Sequence, residues 1–228
     1  MAECLNVSNE IFEKIPGLII ITGKVAPGKV DNDAIALYLK SCWKNLTERV
    51  LKYGDKSLPM LLLWRKALRD AQINVKKFPP SIEAIAKRTM KCNEPFSVNP
   101  IVDTYNAISM ALELPLGAYD ISAIEKTLYL RTARHGEPFV PLGSLEKEET
   151  VEGEIVYSDD KSVLTRQFLW RQAEKAKITS NTKQFIFVCE LLASMGDEIL
   201  QNSKVLIQKK FAILLNATIT DFKVIRRD

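Results

Sequence analysis

The order of apolar and polar residues divides the chain into an early helical part and a later part of short strands. Residues 17–25 (GLIIITGKV) are mostly apolar or β-branched, which predicts a buried strand that ends at the turn Ala26-Pro27-Gly28. Apolar residues then recur at helical spacing over residues 31–51, with Asp31 as the expected N-cap and Gly54 as the end of the helix. The first fifty residues therefore predict one strand followed by one long helix.

Three further helices are predicted next, at residues 59–73, at residues 81–90 and after Asn99-Pro100. From residue 125 the pattern changes and predicts short strands, at residues 127–131, 138–141, 153–157, 162–166 and 184–189. A helix over residues 196–215 and a strand over residues 217–226 close the chain. Helices that come early and strands that come late favour an α+β fold over a doubly wound sheet.

Composition narrows the classes of function. The 228 residues are 46% hydrophobic and 26% charged, which is enough to bury a core without support from metals or disulfides. The four cysteines are scattered and there is one histidine, so we expect neither a metal site nor a cofactor. Unpaired cysteines, together with the lack of an apolar leader or a membrane-length apolar run, predict a cytoplasmic protein without a membrane partner.

One segment is similar to a phosphate-binding loop. Residues 23–30 (GKVAPGKV) follow the predicted strand and match the pattern GxxxxGK[ST] except at the last position. Val30 has no hydroxyl to hold a magnesium ion, and Pro27 lacks a backbone N–H. We therefore interpret this segment as a turn between a strand and a helix.

Charge is unevenly distributed along the chain. Residues 52–91 contain ten Lys or Arg against three acidic residues, whereas residues 144–160 contain seven acidic residues against Lys147. A basic region of this kind suits the phosphate backbone of a nucleic acid. The alternative, that these lysines and arginines only solvate helix faces, stays open.

Polar residues also mark the helix that follows Asn99. Asn99 is the expected N-cap and Pro100 the first helical residue, and Asp103 and Asn106 are three residues apart on one face. These residues indicate either a binding site or a helix cap with a buried amide that satisfies a loop.

Several segments together resemble the B3/B4 tRNA-binding domain. They are NPIVDTYNAISMALELPLGAYD, LYLRTARHGEPFVPLGS, GEIVYSDDKSVLTRQFLWRQ and KITSNT, in this order between residues 96 and 192. This domain is the editing module of the bacterial phenylalanyl-tRNA synthetase beta subunit and also occurs as a free-standing protein, which the helical N-terminal part resembles more closely. The chain is too short to hold a synthetase catalytic core as well.

The resemblance implies a single domain over residues 1–228. Residues 1–95 would be mostly helical, residues 96–192 would form the motif-bearing core of mixed or antiparallel, sandwich-like sheets, and residues 193–228 would add a helix and a strand. It also implies a pocket for the 3′-terminal adenosine of a tRNA with its attached amino acid. In the synthetase, this pocket hydrolyses tyrosine that is wrongly attached to the phenylalanine tRNA.

Site residues follow from the same resemblance. The asparagine of the family falls on Asn106, and its glutamate, which accepts the tyrosine hydroxyl, aligns near Glu174. These two are expected to be catalytic, and His135, in a predicted turn with Gly136, is the third expected catalytic residue, to orient water or the amino-acid side chain. The alternative for His135 is a turn histidine that only faces solvent. Tyr105 and Gly117 stand where the synthetase has a threonine and a histidine.

Further residues are expected to hold the ligand or the tRNA. The expected ligand-binding residues are Tyr105, Gly117, Arg131, Arg166, Trp170 and Arg171. The expected contacts to the tRNA backbone are Arg65, Lys66, Lys76, Lys77, Lys87 and Arg88. As alternatives, Arg166 and Arg171 could pair with Asp159, Asp160 or Glu174, and Trp170 could pack in the core.

The first functional hypothesis is a protein that binds the acceptor end of tRNA and hydrolyses a misacylated aminoacyl-tRNA in trans. The second is a pocket protein that binds a small ligand similar to an amino acid or a nucleotide, without catalysis. A third is a non-catalytic tRNA-binding accessory. Contact with an aminoacyl-tRNA synthetase is compatible with the first and third hypotheses, and the sequence does not predict an oligomeric state.

Overall fold

The structure of the protein, a computed structural model, describes residues 4–227. The helices in this range are α1 (Asn9–Lys14), α2 (Asn32–Tyr53), α3 (Pro59–Asp70), α4 (Ser81–Thr89), α5 (Pro100–Leu112) and α6 (Asp197–Leu214). The strands are β1 (Asn6–Val7), β2 (Leu18–Ala26), β3 (Leu116–Asp120), β4 (Tyr129–Thr132), β5 (Pro138–Phe139), β6 (Glu148–Glu149), β7 (Ile155–Ser158), β8 (Val163–Arg166), β9 (Arg171–Gln172), β10 (Phe185–Leu192) and β11 (Thr218–Arg226). The predicted α+β class is confirmed.

Local signals place the helix ends as the sequence predicts. The Asp31 side chain accepts a hydrogen bond from the backbone N–H of Ala34 at 3.0 Å, and Asn99 accepts one from Val102 at 3.0 Å. Gly54 ends α2 with a φ of +87°, a backbone conformation that is sterically unfavourable for residues with a Cβ atom. Helix α1 and the short strands β1, β3, β6 and β9 were not predicted, since elements of two to six residues carry little periodicity of their own.

The strands form two main sheets. One is antiparallel with the order β11-β2-β10-β3, and the other has the order β1-β4-β7-β8-β9. The second sheet is mixed, because β1 pairs with β4 in parallel while its other pairs are antiparallel. Strands β5 and β6 form a separate hairpin.

Strand β10 lies inside the first sheet and has a different environment on each face. Phe185 and Phe187 point to α6, where their ring centroids lie 5.7 and 5.3 Å from that of Phe211. Because side chains alternate along a strand, Val188 and Glu190 point to the opposite face, towards the second sheet. This alternation positions the candidate site.

Two hydrogen bonds connect the facing sheets. The Tyr157 hydroxyl on β7 donates to the Glu190 carboxylate on β10 at 2.7 Å. The hydroxyls of Tyr119 on β3 and Thr165 on β8 are also 2.7 Å apart. The two sheets therefore pack face to face, as expected for a sandwich-like core.

The N-terminal segment shares this core. Strand β2 lies between β11 and β10, and Trp64 of α3 is fully buried against Phe168, with ring centroids 5.9 Å apart. One hydrophobic cluster includes residues from Cys4 to Leu215. None of the helices described here is both long and apolar enough to span a lipid bilayer.

Candidate functional site

A cavity of about 170 Å³ lies between the two sheets. Helix α5 contributes Tyr105 and Asn106, β3 contributes Gly117, and β10 contributes Glu190. The segment before β9 closes one side with Trp170. Aromatic and aliphatic side chains therefore enclose a small number of polar groups, which is the usual composition of a ligand pocket.

Glu190 is the buried carboxyl group of this cavity. It is 2% exposed and accepts the hydrogen bond from Tyr157. Burial disfavours the charged form and raises the pKa of Glu190 to about 7. The group therefore exists in both protonation states near neutral pH, and it can accept a hydrogen bond from a ligand or donate one to it.

Helix α5 brings two consecutive residues to the cavity. Tyr105 is buried, and this burial raises the pKa of its hydroxyl. Asn106 is partly exposed, and its side-chain amide has no hydrogen-bond partner within residues 4–227. The capping role of Asn99 is present, whereas the Asn106 amide bonds no loop among the described residues.

Gly117 leaves open space in the cavity wall. It pairs in register with Val188, so both residues point to the cavity side of the first sheet. A Cβ atom built at Gly117 would have no heavy atom within 4 Å. A larger side chain at this position would therefore extend into the cavity.

Glu174 and His135 are not among the residues that line the cavity. The Glu174 carboxylate accepts a hydrogen bond from the Gly143 backbone at 3.0 Å and forms an ion pair with Lys177. The hydrogen bond from Gly143 lowers the pKa of Glu174. His135 is exposed in a turn with Gly136. The structure does not bring these two predicted residues together with Asn106.

The three predicted arginines contact acidic side chains. Arg166 is buried and forms ion pairs with Glu154 and Glu148, both at 2.8 Å. Internal pairing of Arg166 was an alternative in the sequence analysis, but its partners are not the ones expected there. The other two arginines are placed as follows: Arg131 pairs with Glu137 at 2.6 Å, and Arg171 lies 3.6 Å from Glu148 and 5.9 Å from the centroid of Trp170.

The predicted tRNA-backbone residues fall into two groups. Arg65, Lys66 and Lys87 are ion-paired, the first and third with the buried Glu83 and the second with Asp70. The three without a carboxylate partner among residues 4–227 are Lys76, Lys77 and Arg88; the Lys77 ammonium lies 5.0 Å from the Phe78 centroid, and the Arg88 guanidinium 4.7 Å from that of Phe96. The positive charges of the second group are not neutralised by a carboxylate among the described residues, so they are more available to an anionic partner.

Sequence reasoning missed Glu190 as a site residue. The available signal was a carboxylate within the otherwise apolar strand FIFVCELL. A charged group is costly to bury without a partner, so its position in such a strand indicates a special environment.

Comparison with models of known protein families identifies the family of this chain. The protein-family model described as B3/4 domain matches residues 63–207, which is more than half of the chain. The chain belongs to the B3/4 domain family. The predicted resemblance is thus confirmed, and the match extends from α3 to α6, so it includes the B3/4 residues that line the cavity.

Two further comparisons of this B3/4 protein cover curated proteins and solved structures. A search of curated proteins gives no match. Among solved structures, the chain is similar to an N-terminal fragment of the phenylalanyl-tRNA synthetase beta subunit from Pyrococcus horikoshii, with a TM-score of 0.49 and 12% identity. The alignment covers 95% of this chain and 50% of that fragment, so the chain spans about half the length of the structure it matches.

Proposed function

We propose that this B3/4 protein binds the aminoacylated acceptor end of a tRNA and hydrolyses the ester of a wrongly attached amino acid. The observation that carries the proposal is the cavity between the sheets, with the buried Glu190 in its wall and the unpaired amide of Asn106 beside it. Membership of the B3/4 family supports it, because the resemblance in the sequence analysis implies a tRNA acceptor-end pocket.

The size of the cavity limits what can enter. A dry cavity of about 150 Å³ holds a benzene-sized ring. The present cavity of about 170 Å³ therefore has room for one ring and is too small for an adenosine with its amino acid. We place the amino-acid side chain inside and the terminal adenosine outside.

Glu190 gives the proposed selectivity for a hydroxyl group. Its carboxyl group is positioned to accept a hydrogen bond from a hydroxyl on the enclosed ring, a role that the resemblance assigned near Glu174. A site built to bond a hydroxyl rejects the analogue without it, since its polar group is then left unpaired. Tyrosine attached to the wrong tRNA is a substrate of this kind.

The proposed reaction needs no covalent intermediate. The oxygen of a water molecule attacks the ester carbonyl carbon, the bond from that carbon to the ribose oxygen breaks, and a proton of the water passes to the ribose oxygen. The products are a free amino acid and an uncharged tRNA. Asn106 can bond the water or the carbonyl oxygen and so orient the attack.

Ester hydrolysis over correctly and wrongly charged tRNAs tests the proposal. We expect turnover of a species that carries a hydroxylated aromatic amino acid, and we expect Glu190→Gln and Asn106→Ala to slow it at least tenfold. Glu174→Ala is the matched control and should retain the wild-type rate. Wild-type protein that hydrolyses none of the charged tRNAs would contradict the catalytic part of the proposal.

Filling the cavity gives a second prediction. Gly117→Leu should abolish hydrolysis of the charged tRNA and remove its extra affinity over uncharged tRNA while the protein stays folded, because the new side chain occupies the space proposed for the amino-acid side chain. Gly117→Ala is the control and should bind with less than a threefold change. Binding is measured by filter retention and folding by thermal unfolding. Equal binding by both variants would show that the ligand does not use this cavity.

Charge reversal on the basic surface tests the tRNA contact. Lys76→Glu combined with Lys77→Glu should weaken tRNA binding about tenfold or more and reduce the slope of log K against log salt by about 2. Lys204→Glu with Lys209→Glu makes the same charge change on α6, on the far side of the first sheet, and should have a smaller effect. Equal losses would indicate a non-specific charge effect.

A second function is favoured by the small cavity volume. A free amino acid with a hydroxylated ring would fit the same space without any nucleotide. Calorimetric titration with free tyrosine separates the two functions. The second function would be favoured if the protein binds free tyrosine tightly and has no affinity for tRNA. Gly117→Leu should then abolish tyrosine binding, and the charge reversals at Lys76 and Lys77 should leave it unchanged.

A further inference from the structure

Trp170 lies at the rim of the cavity with its indole partly exposed. The other two tryptophans of the chain, Trp43 and Trp64, are 3% and 0% exposed. The Trp170 ring contacts the Phe78 ring, with centroids 4.8 Å apart and planes inclined at 65°. Trp170, which lines the cavity, thus forms a pair of half-buried aromatic rings with Phe78.

This pair joins two distant parts of the chain. Phe78 belongs to the loop between α3 and α4, and Trp170 to the segment between β8 and β9. The backbone N–H of Ser81 donates to the carbonyl oxygen of Leu169 at 2.8 Å, which holds the two segments together. Both rings therefore have a fixed position beside the cavity.

Cationic groups lie next to the rings. The Lys77 ammonium is 5.0 Å from the Phe78 centroid, and the Arg171 guanidinium is 5.9 Å from the Trp170 centroid. Arg171 is loosely held, since its side chain is 40% exposed and its contact to Glu148 is 3.6 Å long. Aromatic rings flanked by exposed cations are suited to bind an unpaired base and its phosphate.

We propose that Trp170 and Phe78 form a stacking platform for the unpaired terminal base of the RNA, with Lys77 and Arg171 on the adjoining phosphate. This inference rests on the proposed function, in which only the amino-acid side chain fits the cavity and the adenosine stays at its mouth. An edge-to-face pair occupies the edge of one ring and one face of the other, and the base would stack on a face that this pair leaves uncovered, with the cations shifted from the rings to the phosphate. The platform thereby gives the N-terminal helical part a direct role in the ligand site.

Two uncharged RNA hairpins test the platform, one with a complete unpaired 3′ end and one with an abasic terminal nucleotide. Wild-type protein should bind the abasic hairpin roughly 5- to 150-fold more weakly, which is the usual contribution of one stacked base. Trp170→Ala should weaken binding of the complete hairpin by the same factor and bind the two hairpins equally. Trp170→Phe is the matched control and should still distinguish them, because it retains a stacking ring.

Fluorescence provides an independent measurement. The complete hairpin should quench the emission of the partly exposed Trp170 and leave the buried Trp43 and Trp64 unaffected, so Trp170→Phe should lose the quenching. Wild-type protein that binds both hairpins equally, without quenching, would overturn the platform and leave tRNA binding intact. Protein that binds neither these hairpins nor charged tRNA would overturn the proposed function and, with it, the platform.

Discussion

The free energy of unfolding of the wild-type protein should fall as the pH rises from 4.5 to about 7, and Glu190→Gln should abolish this fall. Burial raises the pKa of Glu190 from its usual 4.5 to about 7 in the folded protein. The folded state then binds the proton more tightly than the unfolded state, so the free energy of unfolding falls over this pH range. A shift of this size corresponds to a loss of roughly 3 kcal/mol.

Urea unfolding of both proteins at several pH values between 4 and 8 measures this effect. Other titrating groups contribute equally to both proteins, so the difference between the two profiles isolates Glu190. Gln keeps a hydrogen-bond acceptor for Tyr157 and carries no titrating proton. Glu174→Gln is the control: it removes a carboxylate whose pKa is lowered, so its profile should differ from that of the wild type only at the acidic end of the range and run parallel to it at higher pH. Parallel profiles for wild type and Glu190→Gln would contradict the raised pKa.

Arg166→Met should destabilise the protein by about 3–5 kcal/mol. The Arg166 guanidinium bonds both oxygens of the Glu154 carboxylate, at 2.8 and 2.9 Å, and the Glu154 side chain is 1% exposed. Removal of the arginine leaves this buried carboxylate without its cation and with only the backbone N–H groups of Val151 and Gln167 as partners, and a buried charge without a counter-charge is costly. The free energy of unfolding from urea titration measures the loss.

The double variant Arg166→Met with Glu154→Leu is the informative control. It removes both charges and should recover most of the lost stability, since apolar residues replace a buried ion pair at little cost. If Arg166 acts only within this pair, the folded double variant should bind tRNA as the wild type does. A double variant that is stable but has lost tRNA binding would assign Arg166 to the ligand, as the sequence analysis expected.

The sequence was a good guide to the local features of the fold. Asp31, Asn99 and Gly54 lie at helix ends as expected, because caps and breakers act over three or four neighbouring residues. Strands β2 and β10 were recognised for a similar reason, since long apolar runs are unambiguous. The B3/4 family was also identified from the sequence, since several motif segments in a fixed order are more specific than any one.

The site was predicted less well than the fold. The structure brings four of the predicted residues, Tyr105, Asn106, Gly117 and Trp170, together at one cavity. Their roles stay predictions. The predicted carboxylate, Glu174, does not line the cavity, and the carboxylate that does, Glu190, is sixteen residues further along the chain, more than the few residues of uncertainty in the resemblance.

By itself the sequence determined the longer helices and strands, the α+β class and the family of this protein, because these depend on local periodicity and on the order of motifs. Only the tertiary structure decided that Glu190 is in the cavity and that Phe78 meets Trp170 at its rim. These contacts join residues far apart in the chain, and they depend on which face of β10 meets the second sheet. Pairing between distant strands sets that face, and no local pattern encodes it.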